Sequence, residues 1–141
     1  MAEINEKDYK ISLQLRIDWS EMDLFGHVNN VMFVKYVQAS RVNYWEQLGL
    51  TDSFEKDKIG PILASTACQF KKPLYYPGNV TIKAKVDHMG TTSFSINHII
   101  LNDKQEICAT AQDVVVMFNF NTYEKLEIPR WVREKVNSIE S

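Results

Sequence analysis

Alternating hydrophobic and polar residues predict β-strands along much of the chain. In "KISLQLRID" every second side chain is apolar from Ile11 to Ile17, the pattern of a strand with one buried face. Strict alternation returns in "VTIKAKVD". Three further stretches are also predicted to be strands: "GPILASTACQFKKPL", "SFSINHIIL" and "EICATAQDVVVMFNF". Turn residues at 75–79, 89–90 and 102–103 separate the later strands, and such short connections favour antiparallel neighbours.

Residues 30–48 carry a helical pattern instead, and Gly49 is well placed to end the helix. Its first two turns are apolar in nearly every direction, which predicts a helix that is buried all round. The residues responsible are Val31, Met32, Phe33, Val34, Tyr36 and Val37. A second, short helix is predicted at "IPRWVREKVNSI", where Pro129 near the start and a polar face are typical of an amphipathic surface helix.

The predicted order is therefore one strand, a long helix, four strands and a short helix. No linker, repeat or low-complexity segment interrupts it, so we expect one domain over residues 1–141. An α+β fold in which a curved antiparallel sheet wraps a central helix satisfies this order. A split sheet of another α+β type is the alternative. The apolar character of the helix favours the first.

Composition and charge narrow the range of functions. Of the 141 residues, 45% are hydrophobic and 24% charged, and the formal net charge of −2 argues against a nucleic-acid partner. The polar start "MAEINEKDYK" does not resemble a secretory signal, and no apolar run approaches the length of about 20 residues that spans a bilayer. We therefore expect a cytoplasmic protein with no membrane partner. Cys68 and Cys108 are predicted to be buried, reduced thiols. The three histidines lack ligand spacing, so neither a metal nor another cofactor is expected.

The stretch "SEMDLFGHVNNVMF" places a carboxylate, Asp23, just before the long helix. A helix N-terminus leaves backbone N–H groups unpaired, and Asn29 or Asn30 can cap it. Such N–H groups can also stabilise an oxyanion, so a nearby carboxylate suits hydrolysis of an ester or thioester. The competing interpretation is that these residues only form a turn and a cap.

Other groups in this stretch compete for the catalytic role. His27 could act as a base, although a role in the turn is the commoner one for such a histidine. Asp18 ends a strand and Glu21 is expected at the surface, so Asp23 is preferred. No Ser-His-Asp or Cys-His order is apparent in the sequence.

The segment "MDLFGHVNNVMFVKYVQASR" resembles the active-site segment of the 4-hydroxybenzoyl-CoA thioesterase-like branch of the hotdog-fold superfamily. The later segments "FKKPLYYPGNVTIKAKV" and "NTYEKLEIPRWVREKV" are similar to other parts of that family, so the resemblance covers nearly the whole chain. Two positions depart from the family pattern. Gln38 stands where Glu is common, and Thr91 stands where a Lys or Arg often meets a CoA phosphate. Four lysines could substitute for that basic residue: Lys71, Lys72, Lys83 and Lys85.

The resemblance implies a metal-independent acyl-CoA thioesterase. It assigns Asp23 as nucleophile or general base and the backbone N–H of Asn30 or Val31 as the oxyanion donor. The substrate-binding residues that it suggests are Gly26, His27, Asn29, Tyr36, Lys72, Thr91 and Thr92. It also implies a homodimer or homotetramer whose active sites lie between subunits.

Three other functions remain open at the level of sequence. An acyl-carrier protein could replace CoA in the substrate, because its acidic surface would suit the same lysines. A hydratase or dehydratase of acyl thioesters would use an Asp/His pair, here Asp23 and His27. A non-catalytic acyl-thioester-binding module would keep the pocket without needing Asp23.

Overall fold

A computed structural model of the protein describes residues 3–141. Its centre is an antiparallel sheet of six strands in the order β1-β3-β4-β5-β2, with the short β6 paired to β5. The strands are β1 (Ile11–Arg16), β2 (Ile59–Phe70), β3 (Asn79–Met89), β4 (Ser93–Leu101), β5 (Ile107–Asn119) and β6 (Glu124–Lys125). The predicted strands are all present, and the predicted α+β architecture is confirmed.

Three α-helices accompany the sheet: α1 (Asn30–Leu48), α2 (Leu50–Asp57) and α3 (Arg130–Glu140). Helix α1 has the predicted bounds because both of its ends are capped. The Asn29 side chain accepts a hydrogen bond from Val31 N–H at the start, and Gly49 adopts φ +85° at the end, a left-handed conformation that glycine accommodates at little cost. Helix α2 was not predicted. It begins directly after Gly49 and has no side-chain cap.

Helix α1 buries one face rather than its whole circumference. Phe33, Tyr36 and Val37 are buried, whereas Val31 is 61% exposed and Val34 is 44% exposed. The prediction of a helix enclosed on all sides is therefore wrong for a single chain, because the sheet covers the helix from one side only. An apolar stripe of α1 is left facing outward.

The core under α1 has two apolar halves with a polar layer between them. Phe33 and Val37 at the N-terminal half pack with Val80, Ile82 and Ile100 of the sheet. Tyr44 and Leu48 at the C-terminal half pack with a second cluster that includes the buried residues Ala84, Phe94, Ile96, Val115 and Val132. Four buried polar side chains lie between the two halves along α1: Ser40, Arg41, His98 and Asp113.

Both cysteines are free, and their environments differ. Cys108 is buried as predicted, but Cys68 is only half-buried because β2 is an edge strand. Burial raises the pKa of both thiols, so both are protonated near neutral pH. Within residues 3–141 no three or more His, Cys, Asp or Glu side chains are grouped as metal ligands. Nor does this part of the chain contain a helix long and apolar enough to cross a bilayer.

Candidate active site

The loop between β1 and α1 holds Asp23 in a defined geometry. Asp23 Oδ1 accepts hydrogen bonds from the backbone N–H groups of Phe25 (2.9 Å) and His27 (3.2 Å), and Asp23 N–H donates to the His27 carbonyl at 2.7 Å. Gly26 closes the turn at φ +86°, which L side chains rarely adopt. The second carboxylate oxygen, Oδ2, accepts no hydrogen bond from any residue in 3–141. One oxygen thus fixes the side chain, while the other has no hydrogen-bond partner among the described residues.

At the N-terminus of α1, beside this loop, one backbone N–H group donates a hydrogen bond and another has no acceptor among the described residues. Val31 N–H donates to the Asn29 side chain at 3.0 Å, so the N-cap already satisfies it. Asn30 N–H makes no hydrogen bond within the described chain. No acidic residue lies in the first turn of α1 to offset the positive end of the helix dipole. Of the two predicted oxyanion donors, Asn30 is therefore the one that is free.

Asp23 and Asn30 line the same open cleft, whose volume is about 420 Å³. The other lining residues come from the loop, from α1 and from the end of β2 with the residues after it: His27, Val28, Phe33, Phe70, Lys71, Lys72 and Pro73. The His27 ring contacts Tyr75 edge to face, with the ring centroids 5.3 Å apart. The structure therefore brings together four residues that the sequence placed in the site: Asp23, His27, Asn30 and Lys72. Gly26 and Asn29 shape the loop and the cap beside them.

Three of the suggested substrate-binding residues lie elsewhere in the chain. Tyr36 is only 1% exposed and packs under the loop rather than lining the cleft. Thr91 and Thr92 lie in the turn after β3, where their carbonyls accept hydrogen bonds from Ile128 and Met117. β3 has 11 residues and separates that turn from the loop at 75–78 beside the cleft, a length of roughly 30 Å. Within one chain these threonines therefore do not line the cleft.

Glu21 is a residue of this region whose position was predicted wrongly. It was expected at the surface, yet it is only 6% exposed. Its carboxylate faces α1 and accepts hydrogen bonds from the Tyr36 hydroxyl at 2.9 Å and from Asp18 N–H at 2.8 Å. The expectation failed because the partner on α1 lies 15 residues away in the sequence. The sequence signal that could have pointed to Glu21 was the position of this acidic residue, two residues before Asp23.

The polar layer under α1 contains a Ser-His-Asp series that the sequence did not reveal. Ser40 Oγ lies 2.9 Å from His98 Nδ1, His98 Nε2 lies 2.8 Å from Asp113 Oδ2, and Arg41 donates to the same oxygen at 3.0 Å. All three members of the series are at most 1% exposed, so a substrate cannot reach Ser40. The series is therefore a structural link between α1 and the sheet. Ser40 and His98 are 58 positions apart and Arg41 and Asp113 are 72 apart, so periodicity cannot detect these contacts.

Comparison with known proteins places this fold and loop in a family. The family model described as the thioesterase-like superfamily matches residues 17–136, which include the Asp23 loop and every strand of the sheet except β1. The solved structure of a thioesterase complexed with coenzyme A and Zn from Thermus thermophilus has the same fold, with a TM-score of 0.83. The match covers 95% of this chain and 96% of that one at 19% identity.

Two curated relatives are similar over most of the chain. The long-chain acyl-CoA thioesterase FadM of Escherichia coli is 21% identical over 130 residues, which are 89% of this chain and 96% of FadM. The chloroplastic acyl-acyl carrier protein thioesterase ATL3 of Arabidopsis thaliana is 25% identical over 125 residues, 87% of this chain but only 65% of that protein. The resemblance noted in the sequence and the hotdog fold that it implied are confirmed. The chain belongs to the thioesterase-like superfamily.

Proposed function

We propose that this protein hydrolyses acyl-CoA thioesters to a free acid and a thiol, with Asp23 as the catalytic carboxylate. One observation carries the proposal: Asp23 has one oxygen fixed and the other free in the cleft that also contains Asn30 at the N-terminus of α1. Membership in the thioesterase-like superfamily supports the same reaction.

The geometry suggests how the two groups act. Asp23 Oδ2 either attacks the thioester carbonyl carbon or removes a proton from a water that attacks it. The carbonyl oxygen becomes negative as the new bond forms, and Asn30 N–H, at the positive end of α1, stabilises it. Collapse of this intermediate breaks the C–S bond and releases the thiol, which takes up a proton. Water supplies the second oxygen of the acid, directly or by hydrolysing an acyl-Asp23 anhydride.

The basic end of the cleft favours CoA as the carrier. Lys71 and Lys72 line it and are both exposed, so a phosphate can reach them. The similarity to FadM and to a thioesterase structure that contains coenzyme A supports the same choice. An acyl-carrier protein thioester is the second candidate, because the similarity to ATL3 favours it.

Asp23→Asn tests the proposal directly. The substitution keeps the size of the side chain and an oxygen that can accept the two N–H groups, but it removes the charge. We expect kcat to fall at least ~10²-fold, the scale of a general-base contribution. The free energy of unfolding should change by less than ~1 kcal/mol, because Asp23 lies outside the core. Release of free thiol from a panel of acyl-CoAs, and of acyl-carrier protein thioesters, measures the rate.

Asp52→Asn is the control, because Asp52 is exposed on α2 and lines neither of the pockets that Asp23 lines. This variant should keep most of the activity. A folded Asp23→Asn enzyme with nearly the parental rate would contradict the proposal. Hydration of an enoyl thioester without thiol release would instead indicate a hydratase. Binding of acyl-CoA with neither reaction would indicate a binding module.

A further inference from the structure

A buried carboxylate connects the Asp23 loop to helix α1. Glu21 ends the short 3-10 turn Trp19–Glu21, which Asp18 caps, and it points inward at 6% exposure. Oε1 accepts hydrogen bonds from Asp18 N–H and from the Tyr36 hydroxyl, while Oε2 accepts one from Lys35 Nζ at 3.3 Å. A buried carboxylate is costly unless its oxygens are paired in this way.

The backbone around Glu21 continues the same connection. The Glu21 carbonyl accepts a hydrogen bond from Asn29 N–H at 2.8 Å, and Met22 forms a β-bridge with Val28. These bonds close the loop upon itself, so that Asp23 moves with residues 21–29 as one unit. The bond from Tyr36 then joins this unit to α1 at a point six residues after Asn30.

The Tyr36 hydroxyl is suited to this role rather than to contact with substrate. Burial and the hydrogen bond to Glu21 raise the pKa of Tyr36 well above its ordinary value, so the hydroxyl stays protonated and donates. Its ring belongs to the core cluster that contains Phe33 and Val37. Packing therefore fixes the Tyr36 ring, and the hydrogen bond from its hydroxyl to Glu21 fixes the loop.

We infer that Glu21 and Tyr36 are positioning residues that hold the Asp23 carboxylate at a constant distance from Asn30 N–H. The inference rests on the proposed function, since it assigns no contact with substrate to either residue. A catalytic group must be held to within about 0.5 Å of its productive position. A displacement of about 1 Å can cost on the order of 10²-fold in rate. The effect of losing the link should thus appear in kcat rather than in substrate binding.

The test compares Tyr36→Phe, Glu21→Ala and the double variant. Tyr36→Phe removes only the hydroxyl and leaves the packed ring in place. Both single variants should lower kcat by roughly 10- to 100-fold and change KM by less than about 3-fold. The double variant should be no slower than Glu21→Ala, because the two residues act through one bond. Glu21→Gln retains an oxygen acceptor for Tyr36 and for Asp18 N–H and should recover most of the rate.

Lys35→Met is the matched control. It removes the other partner of Glu21, a side chain that is 64% exposed, and leaves the bond to Tyr36 intact. Its kcat should stay near the parental value. All variants are assayed well below their unfolding temperatures, so that a loss of stability alone does not lower the rate.

Hydrogen–deuterium exchange supplies a readout that does not depend on activity. Residues 21–29 should exchange faster in Tyr36→Phe than in the parental protein. Unchanged exchange in Tyr36→Phe would overturn the inference, and so would a parental kcat. A raised KM with unchanged kcat would also overturn it, because Tyr36 would then be a substrate contact. If Asp23→Asn is inactive while Tyr36→Phe is fully active, the inference fails and the proposed function stands. If the parental protein cleaves no thioester, the proposed function fails, and the inferred catalytic role fails with it. Faster exchange in that case would support only the structural link.

Discussion

Lys71 and Lys72 are neighbours in the cleft, yet their charges are engaged differently. Lys72 Nζ donates to Glu106 at 2.6 Å, and this hydrogen bond raises the pKa of Lys72 and lowers that of Glu106. Lys71 forms no ion pair within the described chain. Lys71 is therefore the better candidate for a phosphate contact, although sequence reasoning placed Lys72 in the site. An exposed lysine without a carboxylate partner loses no ion pair when it binds a phosphate, so its phosphate contact costs less free energy.

The proposed phosphate contact of Lys71 leads to a prediction about KM. Lys71→Glu should raise KM for an acyl-CoA by about 5-fold, the factor equivalent to about 1 kcal/mol, with little change in kcat. Lys72→Glu should have a smaller effect, since Glu106 already offsets that charge. KM of the parental enzyme should also rise with salt, because the screening length falls from about 10 Å at 0.1 M to about 3 Å at 1 M.

Steady-state kinetics with one acyl-CoA measure these effects. Lys56→Glu, on the exposed side of α2, is the control and should behave like the parental enzyme. Identical KM values in all three variants and at all salt concentrations would move the phosphate site elsewhere.

At the level of elements, α1 is joined to the sheet by a buried ion pair. Burial alone would raise the pKa of Asp113, but the hydrogen bond with His98 and the charge of Arg41 outweigh it. The pKa of Asp113 is therefore below its ordinary value in the folded protein. Ser40 on α1 completes the layer through its contact with His98. The attachment of α1 to the sheet thus depends on the ionised carboxylate of Asp113, which lies under the middle of the helix.

The lowered pKa of Asp113 predicts how stability depends on pH. The contribution of the ionised carboxylate is present above its unfolded-state pKa of about 3.9, and it is lost as the pH falls through the lower folded-state pKa. Asp113→Asn leaves Arg41 buried without its partner and should cost about 3–5 kcal/mol at pH 7. The difference between parental protein and variant should shrink below about pH 4. Urea unfolding at neutral pH and at a series of lower pH values measures it.

Glu134→Gln provides the comparison for a surface ion pair. Glu134 accepts a hydrogen bond from Arg130 at 2.9 Å, and these side chains are 64% and 91% exposed. The substitution should change stability by at most about 1 kcal/mol at any pH. An Asp113→Asn protein as stable as Glu134→Gln would show that the buried pair contributes no more than a surface one.

The elements differ in how far the sequence alone could predict them. Helix α1 and strand β4 have the expected bounds, because Asn29, Gly49 and the turn residues near residues 90 and 102 mark their ends locally. Helix α2 was missed because eight residues without a capping side chain give little periodic signal. The Asp23 loop was found through local residues. The link from Glu21 to Tyr36 and the layer around Asp113 were not, because their partners meet only after the chain folds.

At the level of the whole molecule, one region of the single chain carries many exposed apolar groups. Leu24 is 93% exposed and Phe25 is 80% exposed in the loop before α1, and Phe70, which lines the cleft, is 50% exposed. Phe70 also ends β2, an edge strand whose residues 64–67 are exposed. An unprotected edge strand can pair with a strand of another chain, and an exposed apolar patch can mark an interface. A second copy is the occupant that the family resemblance implies, and it would complete the cleft beside Asp23.

We therefore expect a homodimer or homotetramer in which two β2 strands pair across a two-fold axis. Placing lysines at Ser65 and Ala67 should disrupt it, since a two-fold axis brings like charges together from both copies. Light scattering should detect a shift of this double variant toward the monomer, and thiol release should fall with it. The same change on the other edge strand, Ser12→Lys with Gln14→Lys on β1, should leave both assembly and activity unchanged. A parental protein that is monomeric at micromolar concentration, yet fully active, would mean that one chain forms the whole site and that the exposed apolar groups have another partner.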